Sequence, residues 1–260
     1  MPIVTLTTDF GLTDHFVGTM KGVILGICAE VQIVDIGHQV GAHEIAEAGY
    51  LIAQAWHYFP AKTVHVIVVD PGVGSERRPI AAEAGGHYFV APDNGVLSMI
   101  LAEHQHKVRC ITAEKYFRHP VSRTFHGRDI FAPVAAHIAA GVSLAKLGKK
   151  IDDYLRLSFE RPVRTARRGW TGSILSIDRF GNAITNFRSA DFLQIETQPF
   201  EMRIGLRAVG RLAENYAELN PGELSLIAGS SGYLEVAANR ASAAKILGCG
   251  VGAPVELRLL

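Results

Sequence analysis

Hydrophobic and polar positions along this chain follow two rhythms, and the change between them divides it. Up to about residue 150, alternating or continuously apolar stretches take turns with stretches whose apolar residues recur every three or four positions. PIVTLTTD reads as a strand, and HFVGTMKGVILGICA as a helix with Phe16, Met20, Val23, Ile24 and Ile27 on one side. VQIVDIG is the next strand. HEIAEAGYLIAQAWHYF follows as a helix with Ile45, Leu51, Ile52, Ala55, Trp56 and Phe59 on or near one stripe, stopped by Pro60. TVHVIVVD is β-branched and nearly continuously apolar, the pattern of a central strand buried on both faces. PIAAEA, HYFVAP and KVRCIT add strands, and GVLSMILAEH and DIFAPVAAHIAAG add helices. Strands alternating with helices predict an α/β domain with a mostly parallel sheet. Ligands on such sheets sit at the carboxyl ends of the strands. Asp9 and Asp70 stand at two such ends.

The rhythm changes at RLSFERPVRTARRG, where Arg161, Arg164, Arg167 and Arg168 mark a polar linker; a solvated linker is the simpler account than a phosphate-binding patch. Beyond it WTGSILSID, NAITNF, PFEMRIGLR, ELSLIAG, GYLEVAA and VELRLL read as short strands between Gly, Asn and Pro turns, with NRASAAKILG the clear helix. This predicts a smaller all-β domain, a barrel or sandwich of about ninety residues. The domains are placed at residues 1–160 and 168–260.

Composition narrows the class without naming a function. Apolar residues at 48% and charged residues at 20% are those of a globular protein. With 26 basic against 25 acidic side chains, no global field favours nucleic acid or an anionic membrane. MPIVTLTTDF alternates like a strand and lacks the parts of a secretory signal, and no apolar run reaches the length of a membrane span. Cys28, Cys110 and Cys249 are dispersed and odd in number, against a disulfide framework or a Cys-x-x-Cys metal site. A cytoplasmic protein is expected.

Candidate chemistry gathers in a few short segments. In VVDPGVGSERR, Asp70 ends the buried strand and Arg77 returns after a small loop in which Gly72 and Gly74 allow close backbone approach. Neither nucleotide-loop fingerprint is met. A turn holding a structural Asp–Arg pair is the plain account, but an ion pair at the end of a buried strand is costly to desolvate and calls for a reason. RTFHGRDIF sets His126 ahead of a helix; an isolated His is ordinarily a satisfied structural residue, but its polar flanks Thr124, Gly127, Arg128 and Asp129 leave a site role equally open. Carboxylate, guanidinium and imidazole together position and polarise a water. In TTDFGLTDHFVG, Thr13 or Asp14 is expected to cap the helix, while Asp9 suits a ribose diol, whose two donors match its two oxygens. Asn94 in APDNGVLS is turn and cap chemistry, with a strand-end site as the alternative. His104 and His106 have no partner at metal-ligand spacing and are assigned to the surface. In SIDRFGNAITN a hairpin turn accounts for Asp178 and Asn182, although the Asn182 carboxamide also offers the donor and acceptor an adenine edge requires. In GSSGYLEVAANRAS, Ser230 and Ser231 precede Gly232, and Glu235 is the one charge of the next strand, a pattern that predicts a solvent-facing side chain.

Taken in order, TTDFGLTD, VDIGH, VVDPGVGSERR, APDNG, TFHGRD, IDRFGNAITN and GSSGYLEVAANR resemble the S-adenosylmethionine (SAM) hydroxide adenosyltransferases, or SAM hydrolases, kin to the fluorinase and chlorinase. The resemblance covers nearly the whole chain. It implies an N-terminal α/β domain joined to a C-terminal β-barrel, and a homotrimer with sites between neighbouring subunits. The implied reaction is hydrolysis of SAM to adenosine and methionine by water at C5′. Asp70, Arg77 and His126 match the set that handles the water, and Asp9 the carboxylate that holds the ribose. Asp14 and Ser230 fall where the methionine end is held, Asp178, Asn182 and Glu235 where the nucleoside meets the neighbouring subunit, and Asn94 is counted with the substrate-binding residues. The sulfonium leaves as a neutral thioether, so neither metal nor cofactor is expected. The halogenases carry Tyr where this chain has Asp70 and Arg where it has Ser231, and they contain an insertion absent here. A carboxylate beside the reaction centre repels halide, which makes halogenation the lesser alternative. A non-catalytic SAM or adenosine sensor and a Mg²⁺-dependent phosphoryl-transfer enzyme are the readings from other classes.

Overall fold

The computed structural model describes residues 1–159 and 161–260. The chain divides into two compact units, Met1–Phe159 and Glu160–Leu260. Residue 160, where the sequence reading ends its first domain, lies outside the described residues.

In the first unit the strands are β1 (Ile3–Thr8), β2 (Gln32–Gly37), β3 (Val64–Val68), β4 (Pro79–Ala84), β5 (His87–Pro92), β6 (His106–Cys110) and β7 (Lys150–Ile151). They form one sheet in the order β2-β1-β3-β5-β4-β6-β7. β2, β1, β3 and β5 pair in parallel, β4 runs against both β5 and β6, and β7 runs against β6. The mostly parallel sheet expected from the alternation is therefore present, with β4 and β7 reversed. β3 is buried along its whole length, as its unbroken apolar run requires. Helices α1 (Phe16–Ile27) and α4 (Ala132–Ala139) belong to one core, with Val4, Leu6, Met20, Ile24, Val66 and Phe131. Helices α2 (Ile45–Ala55) and α3 (Ser98–Glu103) belong to the other, with Ile52, Ile67, Phe89 and Ile100. The parallel register sets Thr8 opposite Val68 and Thr7 opposite Gly37. His38, Asp9 and Asp70 thus emerge side by side at the carboxyl edge, where a doubly covered sheet leaves room for a ligand.

Away from that edge, β1, β3 and β5 bury a line of polar groups. Thr5 Oγ1 lies 2.7 Å from His65 Nδ1, and His65 Nε2 lies 3.2 Å from His87 Nδ1. Burial, with the nearby His87 adding to it, lowers the His65 pKa from 6.5 to about 3, and burial lowers that of His87. Both rings fold neutral, whereas the unfolded chain takes up protons below about 6.5. Stability is therefore full above that pH and falls as pH drops from 6.5 toward 3, by up to about 1.4 kcal/mol per pH unit from His65. Urea unfolding at pH 7 and pH 5 should show this slope, and His65→Gln, which has no charge to gain, should flatten it. An unchanged slope in the variant would assign the acid sensitivity elsewhere.

The second unit is antiparallel. Its strands are β8 (Val163–Ala166), β9 (Gly169–Ile177), β10 (Ala183–Arg188), β11 (Phe200–Ile204), β12 (Arg207–Val209), β13 (Leu224–Ala228), β14 (Tyr233–Ala238) and β15 (Pro254–Leu259), with the short helix α5 (Ala243–Leu247). The order is β12-β11-β15-β9-β10-β14-β13, and β8 pairs with β9. β9 pairs with β15 through its first half and with β10 through its second, so one strand turns the corner of the barrel. The segment after β12 then reaches β13, with Ala213 N–H donating to Leu226 O at 2.9 Å and Leu226 N–H to Arg211 O at 2.9 Å. This brings the open sheet close to closure around Ile174, Phe187, Met202, Leu226, Val236 and Val255. Two expectations need correction. PFEMRIGLR is a hairpin, β11 and β12, because Gly205–Leu206 turn the chain. Part of the polar linker is also strand: β8 folds back on β9 through the Arg167–Arg168 turn, Arg164 lies over the Trp170 ring at 5.6 Å, and Arg168 donates to Leu260 O.

Candidate active site

The two segments that carried most of the candidate chemistry meet in the first unit. Past β3 the chain doubles back, with Val73 N–H on Asp70 O and Ser75 N–H on Gly72 O, both at 3.2 Å. The return places Arg77 against Asp70, Nε donating to Oδ1 at 3.1 Å and Nη2 to Oδ2. The same Nη2 donates to His126 Nδ1 at 3.0 Å. The Asp70 and Arg77 side chains are 4% and 7% exposed, and the guanidinium lies over the Phe131 ring at 5.3 Å. Gly74 makes the meeting possible: its φ is +77°, and a Cβ there would stand 2.2 Å from Arg123 O, on the segment that leads to His126.

The His126 segment is held from beneath by Asp129, which is fully buried. Its carboxylate accepts from Arg128 Nε at 2.7 Å and Nη2 at 2.8 Å, from Ser122 N–H at 2.9 Å and from Arg118 at 3.4 Å. Burial opposes that charge, but Arg128, Ser122 and Arg118 outweigh it and lower the Asp129 pKa. A single π turn, Gly127–Phe131, follows His126 and leads into α4, a distortion that recurs at functional sites. Burial and the adjacent Arg77 charge lower the His126 pKa against the opposing pull of Asp70 and Asp129, which favours a neutral ring. A guanidinium only donates, so Nδ1 is the acceptor and the ring proton belongs on Nε2. Arg77 Nη1 is buried and has no hydrogen-bond partner among the described residues.

Asp9 follows β1. Its Oδ2 accepts the N–H of His43, itself at a positive φ of 70°, at 3.0 Å; its Oδ1 makes no hydrogen bond among the described residues. The expected helix cap is not formed: the residue preceding α1 is His15, which pairs with Thr19 at 3.1 Å, and neither Thr13 nor Asp14 caps. Asp14 is exposed. Nearby, Phe10, Phe16 and Phe125 cluster with centroids 5.1 to 5.9 Å apart, Phe125 edge to face with the other two and Phe10 tilted against Phe16, an apolar wall in which Phe10 and Phe125 are next in sequence to Asp9 and His126. Asn94 is engaged within the fold, Nδ2 donating to Val69 O at 2.8 Å and Oδ1 accepting from Val96 N–H at 3.2 Å, so its direct hold is on the strand end that carries Asp70. His106 pairs with the Tyr154 hydroxyl at 2.7 Å and with His104 O at 2.7 Å.

In the second unit Asp178 and Asn182 bind each other. Asp178 Oδ1 accepts from the N–H groups of Phe180 and Asn182, each at 2.9 Å, and Oδ2 from Asn182 Nδ2 at 2.8 Å. Gly181, with φ +86°, is obligatory in this turn because a Cβ would lie 2.1 Å from Ser242 Oγ. The turn displays Phe180, 79% exposed. Glu235 departs from expectation. Its side chain is not solvent-facing but 6% exposed, with Oε1 accepting from the Tyr216 hydroxyl at 2.6 Å. The reason is that β14 is buried on both faces, so alternation carries no information there. Burial raises the Glu235 pKa, Asp178 adds to it, and Tyr216 works against it; the Tyr216 phenol is raised in turn. Ser230 is exposed on the turn before β14. The sequence reading gave no role to Tyr216, which lies outside its motifs, nor to Phe180 and His38, which lie inside IDRFGNAITN and VDIGH.

The sequence pattern of the SAM hydroxide adenosyltransferase N-terminal domain matches residues 4–148, and that of the C-terminal domain matches residues 172–256. A Salinispora tropica protein named (R)-S-adenosyl-L-methionine hydrolase is 37% identical over 255 residues, covering 96% of this chain and 95% of its own. A fluorinase of Nocardia brasiliensis is more distant at 28% identity, covering 99% of this chain and 97% of its own. A crystal structure from Thermotoga maritima, described as an uncharacterized conserved protein, superposes with a TM-score of 0.92 at 35% identity, covering 98% of this chain and 99% of that one.

Proposed function

The chain belongs to the SAM hydroxide adenosyltransferase family, and from that premise we infer that it hydrolyses S-adenosyl-L-methionine to adenosine and L-methionine. The observation that carries the mechanism is the contact among Asp70, Arg77 and His126 at the carboxyl edge of the sheet. The oxygen of a water forms a bond to C5′ as the C5′–sulfur bond breaks. The electron pair of that bond goes to sulfur, so methionine departs as a neutral thioether and needs no general acid. The water's proton passes to Asp70, whose oxygens each keep a lone pair beyond those used by Arg77. Arg77 holds Asp70 in place, and its positive charge favours the incipient hydroxide beside that carboxylate. His126 accepts from Arg77 and fixes the guanidinium's orientation. No cofactor is assigned in this scheme.

Asp9 takes the ribose hydroxyls with its free oxygen, and Asp14 takes the methionine ammonium. Asn94 is assigned a positioning role beneath Asp70. Asn182, Glu235, Ser230 and Asp178 are assigned to the nucleoside and methionine ends of a neighbouring subunit's substrate in a homotrimer, a reading supported by the exposure of Phe180 and Ser230. The three free cysteines agree with a reducing, cytoplasmic setting, and among the described residues no helix is long and apolar enough to cross a membrane.

Turnover in ¹⁸O-water tests the reaction directly. The label is expected in the 5′-hydroxyl of adenosine and not in methionine. Both sulfonium epimers belong in the assay, because the Salinispora tropica relative is named for the (R) form. Absence of adenosine would leave a SAM-binding sensor, and unlabelled adenosine would exclude attack by water at C5′.

A further inference from the structure

We propose that His38 is a positioning residue for the ribose end of the site, acting through Thr8 on the loop that carries Asp9; this rests on the SAM-hydrolase reading and on the ribose role given to Asp9. Thr8 ends β1 and has no exposed surface. Its hydroxyl accepts the Phe10 N–H at 3.2 Å and meets His38 Nδ1 at 2.9 Å, so the residues on both sides of Asp9 are tied to one oxygen. His38, 4% exposed, also accepts the Gly11 N–H on its own carbonyl at 2.7 Å. It thereby grips the loop at Thr8 and Gly11 directly and at Phe10 through Thr8.

The imidazole is anchored in turn. Its Nε2 lies 3.0 Å from Asp35 Oδ1, a close but bent approach, and Lys21 Nζ lies 2.6 Å from Asp35 Oδ2. Burial disfavours the Asp35 charge, yet Lys21 and His38 outweigh it and lower the pKa. A carboxylate facing Nε2 places the ring proton there, which leaves Nδ1 to accept from the Thr8 hydroxyl and the hydroxyl oxygen to accept from Phe10. Thr8, His38 and Asp35 stand in the order hydroxyl, imidazole, carboxylate, as in a nucleophilic triad. Thr8 is sealed from any substrate, so the same order serves here to hold a loop. A separate contact, from the His43 N–H, holds Asp9 Oδ2. The backbone around Asp9 and its side chain are thus each fixed with Oδ1 left for a ligand, and preorganisation of this kind converts into affinity.

The test is calorimetric binding of adenosine and of 2′,3′-dideoxyadenosine, which lacks the ribose hydroxyls, to the full-length protein. Wild type should prefer adenosine, and Asp9→Ala should abolish the preference. Thr8→Val and His38→Leu should each reduce it by roughly tenfold, the loss expected when a charge-assisted hydrogen bond is misplaced. His38→Asn, whose amide reproduces the Nδ1 acceptor, should restore most of it, and the surface variant Asp35→Asn should lose a smaller part. Binding of the dideoxy analogue should stay unchanged throughout, which a general disturbance of the fold would not allow. Wild-type preference in Thr8→Val, His38→Leu and Asp35→Asn would overturn the proposal, as would a wild type indifferent to the hydroxyls. Ribose discrimination that follows this series in a protein that releases no adenosine from SAM would uphold the inference and reject the hydrolase reading.

Discussion

Asp70→Asn is expected to lower kcat for SAM hydrolysis by about 10²–10⁴-fold, the usual contribution of a positioned base, while changing SAM affinity little. The carboxylate does two things in the proposed reaction: it accepts the water's proton, and its charge favours water over an anion at the same place. Asn keeps the size and one acceptor oxygen but loses both functions. Its amide nitrogen would also confront a guanidinium that can only donate, so the contacts at Asp70 Oδ1 and Oδ2 do not both survive. Asp9 and Asp14 are left in place, which is why binding should persist. Steady-state adenosine release together with SAM titration by calorimetry separates the two quantities. Near wild-type kcat in Asp70→Asn would remove Asp70 from the chemistry and transfer the water to another group.

Much of this site was legible in one dimension. An apolar β-branched run ending in Asp70 marks a strand end on a covered sheet, and Gly74 before Arg77 marks a chain that must return against another backbone. His126 was legible as a candidate through its polar neighbours, but its contact with Arg77 joins residues 49 apart in sequence and needs the fold. The same holds for His38, whose hydrogen bond to Thr8 spans two strands that only the parallel register of β1 and β2 brings together. Glu235 was misread because alternation distinguishes faces only when one of them meets water, and β14 has no such face. The β8 hairpin was misread because four arginines outweighed the strand pattern of Val163–Ala166, whereas Arg164 can cover Trp170 with its stem and keep its charge wet. Helix capping failed for a different reason. The residue at the start of α1 is His15, whose ring meets Thr19, and Asp14 is left one residue too early and exposed.

Arg77→Met should be the most damaging single change to the fold at this site, and its cost should depend on Asp70. Both side chains are almost completely buried, and removing one member of such a pair strands the other charge away from water. A loss of about 3–5 kcal/mol is the expected scale for breaking a buried pair. Met approximates the length of the aliphatic stem, so the loss would report the guanidinium, with its charge, its hydrogen bonds and its contact with the Phe131 ring, more than a cavity. Activity should also vanish, because Asp70 and His126 both depend on the same guanidinium. The double variant Asp70→Asn/Arg77→Met separates this account from simple mispacking: with no charge left to strand, it should be more stable than Arg77→Met alone, although equally inactive. Denaturant unfolding of wild type, both single variants and the double variant forms the cycle. If the double variant were destabilised by the sum of the two single losses, the pair would carry no coupling. Arg77 would then matter for the shape of the glycine loop and not for the carboxylate it holds.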